Sequence, residues 1–483
     1  MNKSNQLTFE QKHALKSFED WINCADPQKT FVLSGFAGSG KTYLSIRLLE
    51  IADDMGFCWT VVAPTHKAVG VLRNELESFQ LRPTWFPSTI HRLLRLKLRR
   101  KGDLEICEKT DKTLNSLEQL GLVLIDEASM IDSSLLSIVL ECAQKHKTRL
   151  VFVGDPAQLP PVGESISPVF TMKNSKRLEL KEVVRHQGPV LRLSNLVREG
   201  KLPCESPPCM PSIKTNKGLV GFLDEKNWLN QAKIYIKNAA HENKPEEARI
   251  ICFKNRTIEK LVPHVRRAVH GEMADQLPVL PGEVLLTRNA VMSPAAIGVD
   301  ESDGEDPDVL IGANRELIVQ DVEPEVCDLS LFDQTGGTIG DFPLIKTLKV
   351  IIKSGEQEFL LRLLPPLESE QRKILDITLS KIKSTAKDSK SKDRGAIWRS
   401  FFLVRDSFAN LGPASVLTVH RSQGSTFKNV FVASDVYSPN DLILRRQLFY
   451  VAVSRAKKSV WLVGNNRDDS HILLWKNKFE IKN

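Results

Sequence analysis

The sequence predicts an α/β protein built on two parallel sheets, with a β-rich region inserted in the second. Three observations carry this. Short apolar runs without polar alternation recur between helix-like stretches. A glycine-rich loop joins the first run directly to one of those stretches. A second set of runs appears beyond residue 247, split into two pieces. Apolar character that does not alternate marks strands covered on both faces, as in a parallel sheet.

In chain order, TFVLSG (30–35), CWTVVAPT (58–65), GLVLIDE (121–127) and RLVFVGD (149–155) read as buried strands. KTYLSIRLLEIADDM (41–55) and SSLLSIVLECAQKH (133–146) read as the helices between them. EARIICFKN (247–255), followed by helical RTIEKLVPHVRRAVH, opens the second set. SVLTVH (415–420), NVFVAS (429–434) and SVWLVGN (459–465) complete it. Strands alternating with helices make this an α/β layout. The stretch between differs, with short strand-like runs such as RELIVQDVEP and TLKVIIKS, an acidic loop DESDGEDPD (300–308) and a Lys/Ser-rich KIKSTAKDSKSKDRG (381–395). It reads as a small β-barrel with a helical appendage. The expected division is 1–180, then 181–280 joined to 409–483, with 281–408 inserted. The tail 466–483 takes no assigned use.

Composition narrows the function classes. A chain of 483 residues exceeds a single core, and 41% hydrophobic with 26% charged residues excludes a largely disordered protein. The formal charge of +8 permits a polyanionic partner without requiring one. No apolar run approaches the roughly 18 residues of a membrane span, and MNKSNQLTFEQKHALKSF lacks the apolar core of a secretion signal. A cytoplasmic protein without a membrane partner is expected. The eight cysteines form no CxxC pair, so reduced thiols are expected, not zinc or a disulfide framework.

The chemistry begins at Gly35-Phe36-Ala37-Gly38-Ser39-Gly40-Lys41-Thr42, a full G-x-x-x-x-G-K-[ST] pattern between a strand and a helix. Its glycines let backbone amides turn toward phosphate oxygens, and the helix start favours the same negative charge. Lys41 suits the β/γ-phosphates of ATP, and Thr42 suits Mg²⁺. Asp126 and Glu127 end the apolar strand GLVLI, at the edge where parallel sheets bind ligands. Asp126 suits Mg²⁺, and Glu127 suits the attacking water. One strand later, Gly154-Asp155-Pro156-Ala157-Gln158 offers Gln158 as a γ-phosphate sensor. Transition-state charge calls for arginine, and Arg185 in LKEVVRHQ and Arg455 in LFYVAVSRAKK are the candidates.

Together these segments resemble the superfamily 1 DNA helicases of the RecD/Dda type. Leu7-Thr8-x-x-Gln11 resembles the adenine-reading Q motif, Ala63-Pro64-Thr65-His66-Lys67-Ala68 motif Ia, and Ser88-Thr89-Ile90-His91 motif Ib. DEAS (126–129) and GDPAQLPPV (154–162) resemble motifs II and III. Val419-His420-Arg421-Ser422-Gln423-Gly424-Ser425-Thr426 resembles motif V, and Tyr450-Val451-Ala452-Val453-Ser454-Arg455 motif VI. The resemblance implies two RecA-like P-loop NTPase domains sandwiching ATP, with Gly424 at the nucleotide and Arg185 and Arg455 reaching across the cleft. It places Pro64, Thr65, His66, Thr89, His91, Thr418 and His420 on single-stranded DNA. It also implies an SH3-like β-barrel in the second domain, 5′→3′ translocation, action at duplex junctions, replication or single-strand-binding proteins as partners, and a monomer.

Residues 93–110 hold LRLKLRR-KGD-LEICE, which reads as a β-hairpin. In this family a hairpin here is a pin that splits the duplex, often with an aromatic tip. No Phe, Trp or Tyr lies between Arg92 and Ile125. Arg99, Arg100 and Lys101 would grip backbone instead, with Leu104 or Ile106 as the wedge. An RNA helicase and a non-unwinding ATPase that remodels protein complexes remain the alternatives.

Overall fold

The computed structural model describes residues 7–24, 30–101, 104–182, 188–203, 205–242, 244, 247–293, 309–354, 357–389, 391–465 and 469–479. The chain divides into two compact units. One comprises Met1–Tyr235, Glu246–Ile258 and Leu417–Asn483, and the other Ile236–Pro245 and Glu259–Val416.

The first unit begins with α1 (Phe9–Ile22), β1 (Thr30–Gly35), α2 (Lys41–Asp54), β2 (Trp59–Ala63), α3 (His66–Ser78), β3 (Ser88–Thr89) and α4 (Ile90–Leu93). A hairpin of β4 (Lys97–Lys101) and β5 (Leu104–Glu108) follows, then β6 (Leu122–Ile125), α5 (Ser133–His146), β7 (Arg149–Gly154) and β8 (Ser175–Leu180). The strands order as β3-β2-β6-β7-β1-β8, and every adjacent pair is parallel. The unbroken apolar runs now have a cause. Phe31, Leu33, Leu122, Leu124, Val151 and Val153 join one buried cluster, which includes α1 and α2 residues such as Phe18 and Leu48. Their neighbours Val32, Val123, Ile125, Leu150 and Phe152 join another, with Ile138 and Val139 of α5. Alternate side chains leave opposite faces, and both faces are covered.

After α6 (Pro189–Arg198) come β9 (Ile213–Thr215), β10 (Gly218–Leu223), α7 (Glu225–His241), β11 (Ala248–Cys252), α8 (Asn255–His270) and α9 (Met273–Gln276). The second unit supplies β12 (Val284–Thr287), β13 (Val291–Met292), β14 (Val309–Ile311), β15 (Glu316–Asp328), β16 (Leu344–Ser354), β17 (Gln357–Arg362), α10 (Glu370–Asp388), α11 (Ser391–Asp406) and β18 (Leu411–Pro413). The chain then returns through β19 (Val416–Thr418), α12 (Val419–Ser422), β20 (Phe427–Val432), α13 (Leu442–Ser454), β21 (Ala456–Val463) and α14 (Asp469–Phe479). The second large sheet orders as β19-β11-β20-β21-β10-β9, with β9 antiparallel at one edge.

In the second unit five strands order as β17-β16-β15-β12-β18. The edge strands meet where the Ala409 amide donates to Arg362 O (2.7 Å) and the Leu364 amide to Ala409 O (3.0 Å). The sheet therefore closes on itself around Leu285, Leu317, Val319, Val350 and Leu361. Helices α10 and α11 bury a separate cluster with Leu329 and Ile345, which takes Ile382 and Ala386 from the Lys-rich segment and leaves Lys381, Lys383 and Lys387 exposed. The unit starts at Glu259, ahead of the 281 expected for the insert. Arg266 of α8 explains this, since it binds Glu283 and the carbonyls of Ala274 and Leu277. The acidic loop 300–308 lies outside the described residues. Among the described residues, no helix is long and apolar enough to cross a membrane.

Candidate active site and nucleic-acid interface

Strand β1 enters the glycine loop and α2 begins at Lys41. Gly38 (φ 80°) and Gly40 (φ 83°) are left-handed, a conformation that strains any side chain. Gly35 has a different reason, because a Cβ there would sit 2.8 Å from Ser39 Oγ and 2.9 Å from Leu180. Gly40 gives α2 no side-chain cap, which leaves its first amides facing the loop. Lys41 Nζ donates to Gly35 O (2.8 Å) and Phe36 O (2.9 Å). Buried Ser39 Oγ has no hydrogen-bond partner among the described residues. Gln11 closes a capping box with Thr8, its Oε1 accepting from the Thr8 amide. Its Nε2 donates to Ser39 O at 3.1 Å. Both ends of the amide expected to read a base are thus engaged, one of them on the phosphate loop itself.

Asp126 follows β6, its amide donating to Val62 O (2.9 Å), and its Oδ1 accepts from the Glu127 amide (2.8 Å). Glu127 is itself left-handed (φ 52°, ψ 42°), which turns the chain sharply at the sheet edge. Burial pushes the Asp126 carboxyl up to about 7, and the Glu127 charge adds to this while Lys41 opposes it. Two carboxylates crowded beside one lysine favour an added cation. Carboxylate and hydroxyl oxygens (Asp126 and Thr42) suit Mg²⁺, which takes few protein ligands and completes its shell with water and phosphate oxygens. Gln158 is buried, its amide donating to Asp155 O (3.1 Å), and its Oε1 has no partner among the described residues. A buried acceptor left open in this position fits a site that receives a ligand.

The second sheet contributes Arg455, just past α13. Its guanidinium donates to Val451 O, Ser454 Oγ and Ser425 O. Burial lowers its pKa from the usual arginine range, and the Glu127 charge is the first of three that resist the change. Arg185 lies outside the described residues. Two further residues join this region without having been singled out from the sequence. Tyr450 of α13 donates to Asp155 Oδ2 at 2.5 Å and accepts from the Ala37 amide at 3.0 Å. Arg198 of α6 contacts Asp155 Oδ1 (3.2 Å), and its guanidinium lies 3.5 Å from the centre of the Phe36 ring.

A second set of strand-to-helix junctions carries the threonines. Thr65 starts α3, Thr89 starts α4 and Thr418 starts α12. Each Oγ1 accepts the amide three residues on, at 3.3 Å in all three cases. Pro64 and His66 flank the first cap, His91 follows the second and His420 the third. Burial lowers the His91 pKa, against the pull of Asp132, which favours the uncharged ring. His420 is exposed, its ring 6.3 Å from that of Phe253. Gly424 (φ 71°) abuts this set, where a Cβ would lie 3.2 Å from Thr65 Oγ1. Gln423 Nε2 donates to Leu159 O (3.1 Å). Lys67 lies 4.9 Å from the ring centre of Phe427. Expected at the nucleotide, Gly424 therefore sits against Thr65 and Ala68.

Residues 6–206 match a family model described as an AAA domain, and residues 413–463 match the UvrD-like helicase C-terminal domain. The ATP-dependent DNA helicase dda of Enterobacteria phage T4 is 26% identical over 467 residues, spanning 95% of this chain and 99% of the relative. The chain is a superfamily 1 helicase of the RecD/Dda type. RecBCD enzyme subunit RecD of Buchnera aphidicola is 28% identical over 182 residues, 34% of this chain and 28% of that protein. A Pif1 helicase from Bacteroides, solved with ADP-AlF3 and ssDNA, gives a TM-score of 0.49 at 16% identity, covering 99% of this chain and 98% of that one.

In this helicase the 93–110 segment forms an antiparallel hairpin, Lys97 pairing with Glu108 and Lys101 with Leu104. That register leaves a two-residue connection at 102–103, outside the described residues. The side chains of Arg99 and Arg100 lie outside them as well. Tyr450 was visible in the sequence as part of motif VI, but nothing local marks its hydroxyl as a partner of residues 37 and 155. Arg198 reads locally as an ordinary helix-ending arginine.

Proposed function

We propose that this chain is an ATP-dependent DNA helicase that moves 5′→3′ on single-stranded DNA and separates strands at duplex junctions. The observation that carries the reading is that Tyr450, in the second-sheet helix that ends just before Arg455, accepts the amide of Ala37 in the first-sheet glycine loop at 3.0 Å. A nucleotide held by the glycine loop is then contacted from both sheets. In this reading residues 1–180 form one motor domain, 181–280 with 409–483 the other, and 281–408 an SH3-like insert. The protein works as a monomer, with replication or single-strand-binding proteins as further partners.

The roles follow from chemistry. The loop 35–42 wraps the phosphates and turns the open amides at the start of α2 toward them, and Lys41 exchanges two carbonyls for phosphate oxygens. Asp126 and Thr42 would hold Mg²⁺, which when bound would neutralise charge on those oxygens. Glu127 orients the attacking water and takes its proton, and Gln158 contacts water and γ-phosphate. Arg455 and Arg185 neutralise the charge that develops on the transferred group. Gln11 acts on the nucleotide chiefly by fixing the loop at Ser39, and Gly424 ties that site to Thr65. Closure biased by γ-phosphate contacts is a two-state element. The Thr65, Thr89 and Thr418 hydroxyls, with Pro64, His66, His91 and His420 around them, hold DNA phosphates without reading bases.

ATPase activity measured with and without single-stranded DNA, alongside duplexes bearing a 5′ or a 3′ tail, tests the proposal. Stimulated turnover with unwinding from the 5′ tail alone is expected. The hairpin's lack of aromatics favours one second reading, a translocase that displaces proteins. Stimulated turnover with no unwinding from either tail would select it.

A further inference from the structure

The phosphate loop is held from outside at two successive residues. The Ala37 amide donates to Tyr450 Oη, and the Phe36 side chain, 8% exposed, lies beneath the Arg198 guanidinium. Both holders meet on Asp155, which is fully buried. Its Oδ2 accepts from Tyr450, and its Oδ1 accepts from the Ala157 amide (3.0 Å) and from Arg198 Nε and Nη2. Arg198 ends α6 and Tyr450 lies within α13, and these two helices pack against each other. Asp155 belongs to the turn whose carbonyl anchors Gln158.

The chemistry of each member fixes its direction. Asp155 can only accept, so the Tyr450 hydroxyl must give it a proton. That leaves a Tyr450 lone pair to receive the Ala37 amide, and a charged acceptor strengthens the whole chain. Arg198 balances the buried carboxylate and keeps its flat face for Phe36, as a guanidinium can and an ammonium cannot. We infer that Arg198 and Tyr450 are positioning residues that, joined through Asp155, hold the phosphate loop in its nucleotide-binding shape. The inference rests on the nucleotide site proposed above and assigns that site a brace made by helices of the second sheet.

A brace of this kind preorganises the loop before the nucleotide arrives. Its loss weakens ground state and transition state together, so affinity falls while turnover at saturation holds. Tyr450→Phe keeps the ring and removes one hydroxyl. Its Kd for a non-hydrolysable ATP analogue is expected to rise about tenfold, with kcat at saturating ATP within about twofold. Arg198→Ala should do the same, and Arg198→Lys should restore only part of the affinity. Because both act through Asp155, the double variant should fall well short of the product of the single effects. Phe36→Leu removes the stack from the loop side and should raise Kd as Arg198→Ala does, which covers the case of an Arg198 variant that fails to fold. Unchanged Kd in folded variants, a kcat loss at constant Kd, or tighter binding would each overturn the brace. The Lys41→Ala variant separates the two levels. If it binds the analogue as the wild type does, the nucleotide-site reading itself fails. If it loses binding while the brace variants do not, only the brace is wrong.

Discussion

Two kinds of strand-to-helix junction stand at the sheet edges. At β1 to α2 the helix begins on Gly40 with no side-chain cap, and its first amides remain open. At α3, α4 and α12 the helix begins on a threonine whose oxygen already satisfies an amide. The first kind offers a concave set of N–H donors, which suits the clustered charge of a nucleotide's phosphates. The second spends its amide and keeps one hydroxyl proton to donate, which suits a single backbone phosphate released at each step. In the proposed function the first geometry serves a deep grip on nucleotide and the second a shallow, repeated one on DNA.

The largest effect should come from splitting the two. Lys41→Ala is expected to cut ATP turnover by at least about 10³, since it removes a charge aimed at the reacting phosphates. Single-strand affinity, which the proposed function assigns to the threonine junctions, should change less than about twofold. A parallel collapse of DNA binding in an equilibrium titration would break the separation. Glu127→Gln should likewise stall hydrolysis while nucleotide still binds, and brisk turnover there would remove Glu127 from its role.

The deep site also stores electrostatic cost, which the threonine junctions do not. Asp126 is raised from an ordinary 3.8 to about 7. A raised carboxyl favours its proton in the folded state, so its contribution is present below pH 4 and lost as pH climbs through 7. Without nucleotide or Mg²⁺, Asp126→Asn should therefore gain on the wild type between pH 5 and pH 8, by roughly 2 to 4 kcal/mol at the upper end. Denaturant melts at the two pH values measure this. A pH-independent difference would mean that the pair is not under strain.

Both kinds of junction were legible as motifs, the glycine loop from its own spacing and the threonines through the family resemblance, although their capping role was not. Sheet cores were legible locally too: Phe31 to Leu33 and Leu122 to Ile125 announce burial on both faces. What stayed hidden was non-local or edge-bound. β8 runs SKRLEL along the sheet edge with mostly exposed or half-buried residues, so it carries no apolar signal. Tyr450 and Arg198 act on residues 413 and 162 positions away along the chain, and a contact of that span leaves no periodicity to read. Gln11 shows the converse, where a recognised motif concealed a second use of its amide on Ser39.

The smallest effect belongs to the shallow grip and is the most direct test of its chemistry. Thr418→Ala removes the cap on the Arg421 amide and, with it, the hydroxyl that the proposed function assigns to a DNA phosphate. Cap loss costs about 1 kcal/mol of stability, and one lost phosphate contact should weaken single-strand binding about five- to tenfold. Thr418→Ser keeps the oxygen and should restore both. Thr418→Asp separates them, because a carboxylate caps as well as a hydroxyl does but repels phosphate. Its melting temperature should match the wild type while DNA affinity falls further than in Thr418→Ala. If Thr418→Asp bound DNA as the wild type does, the threonine would be a cap alone, and the contrast between the two junctions would hold for α2 only.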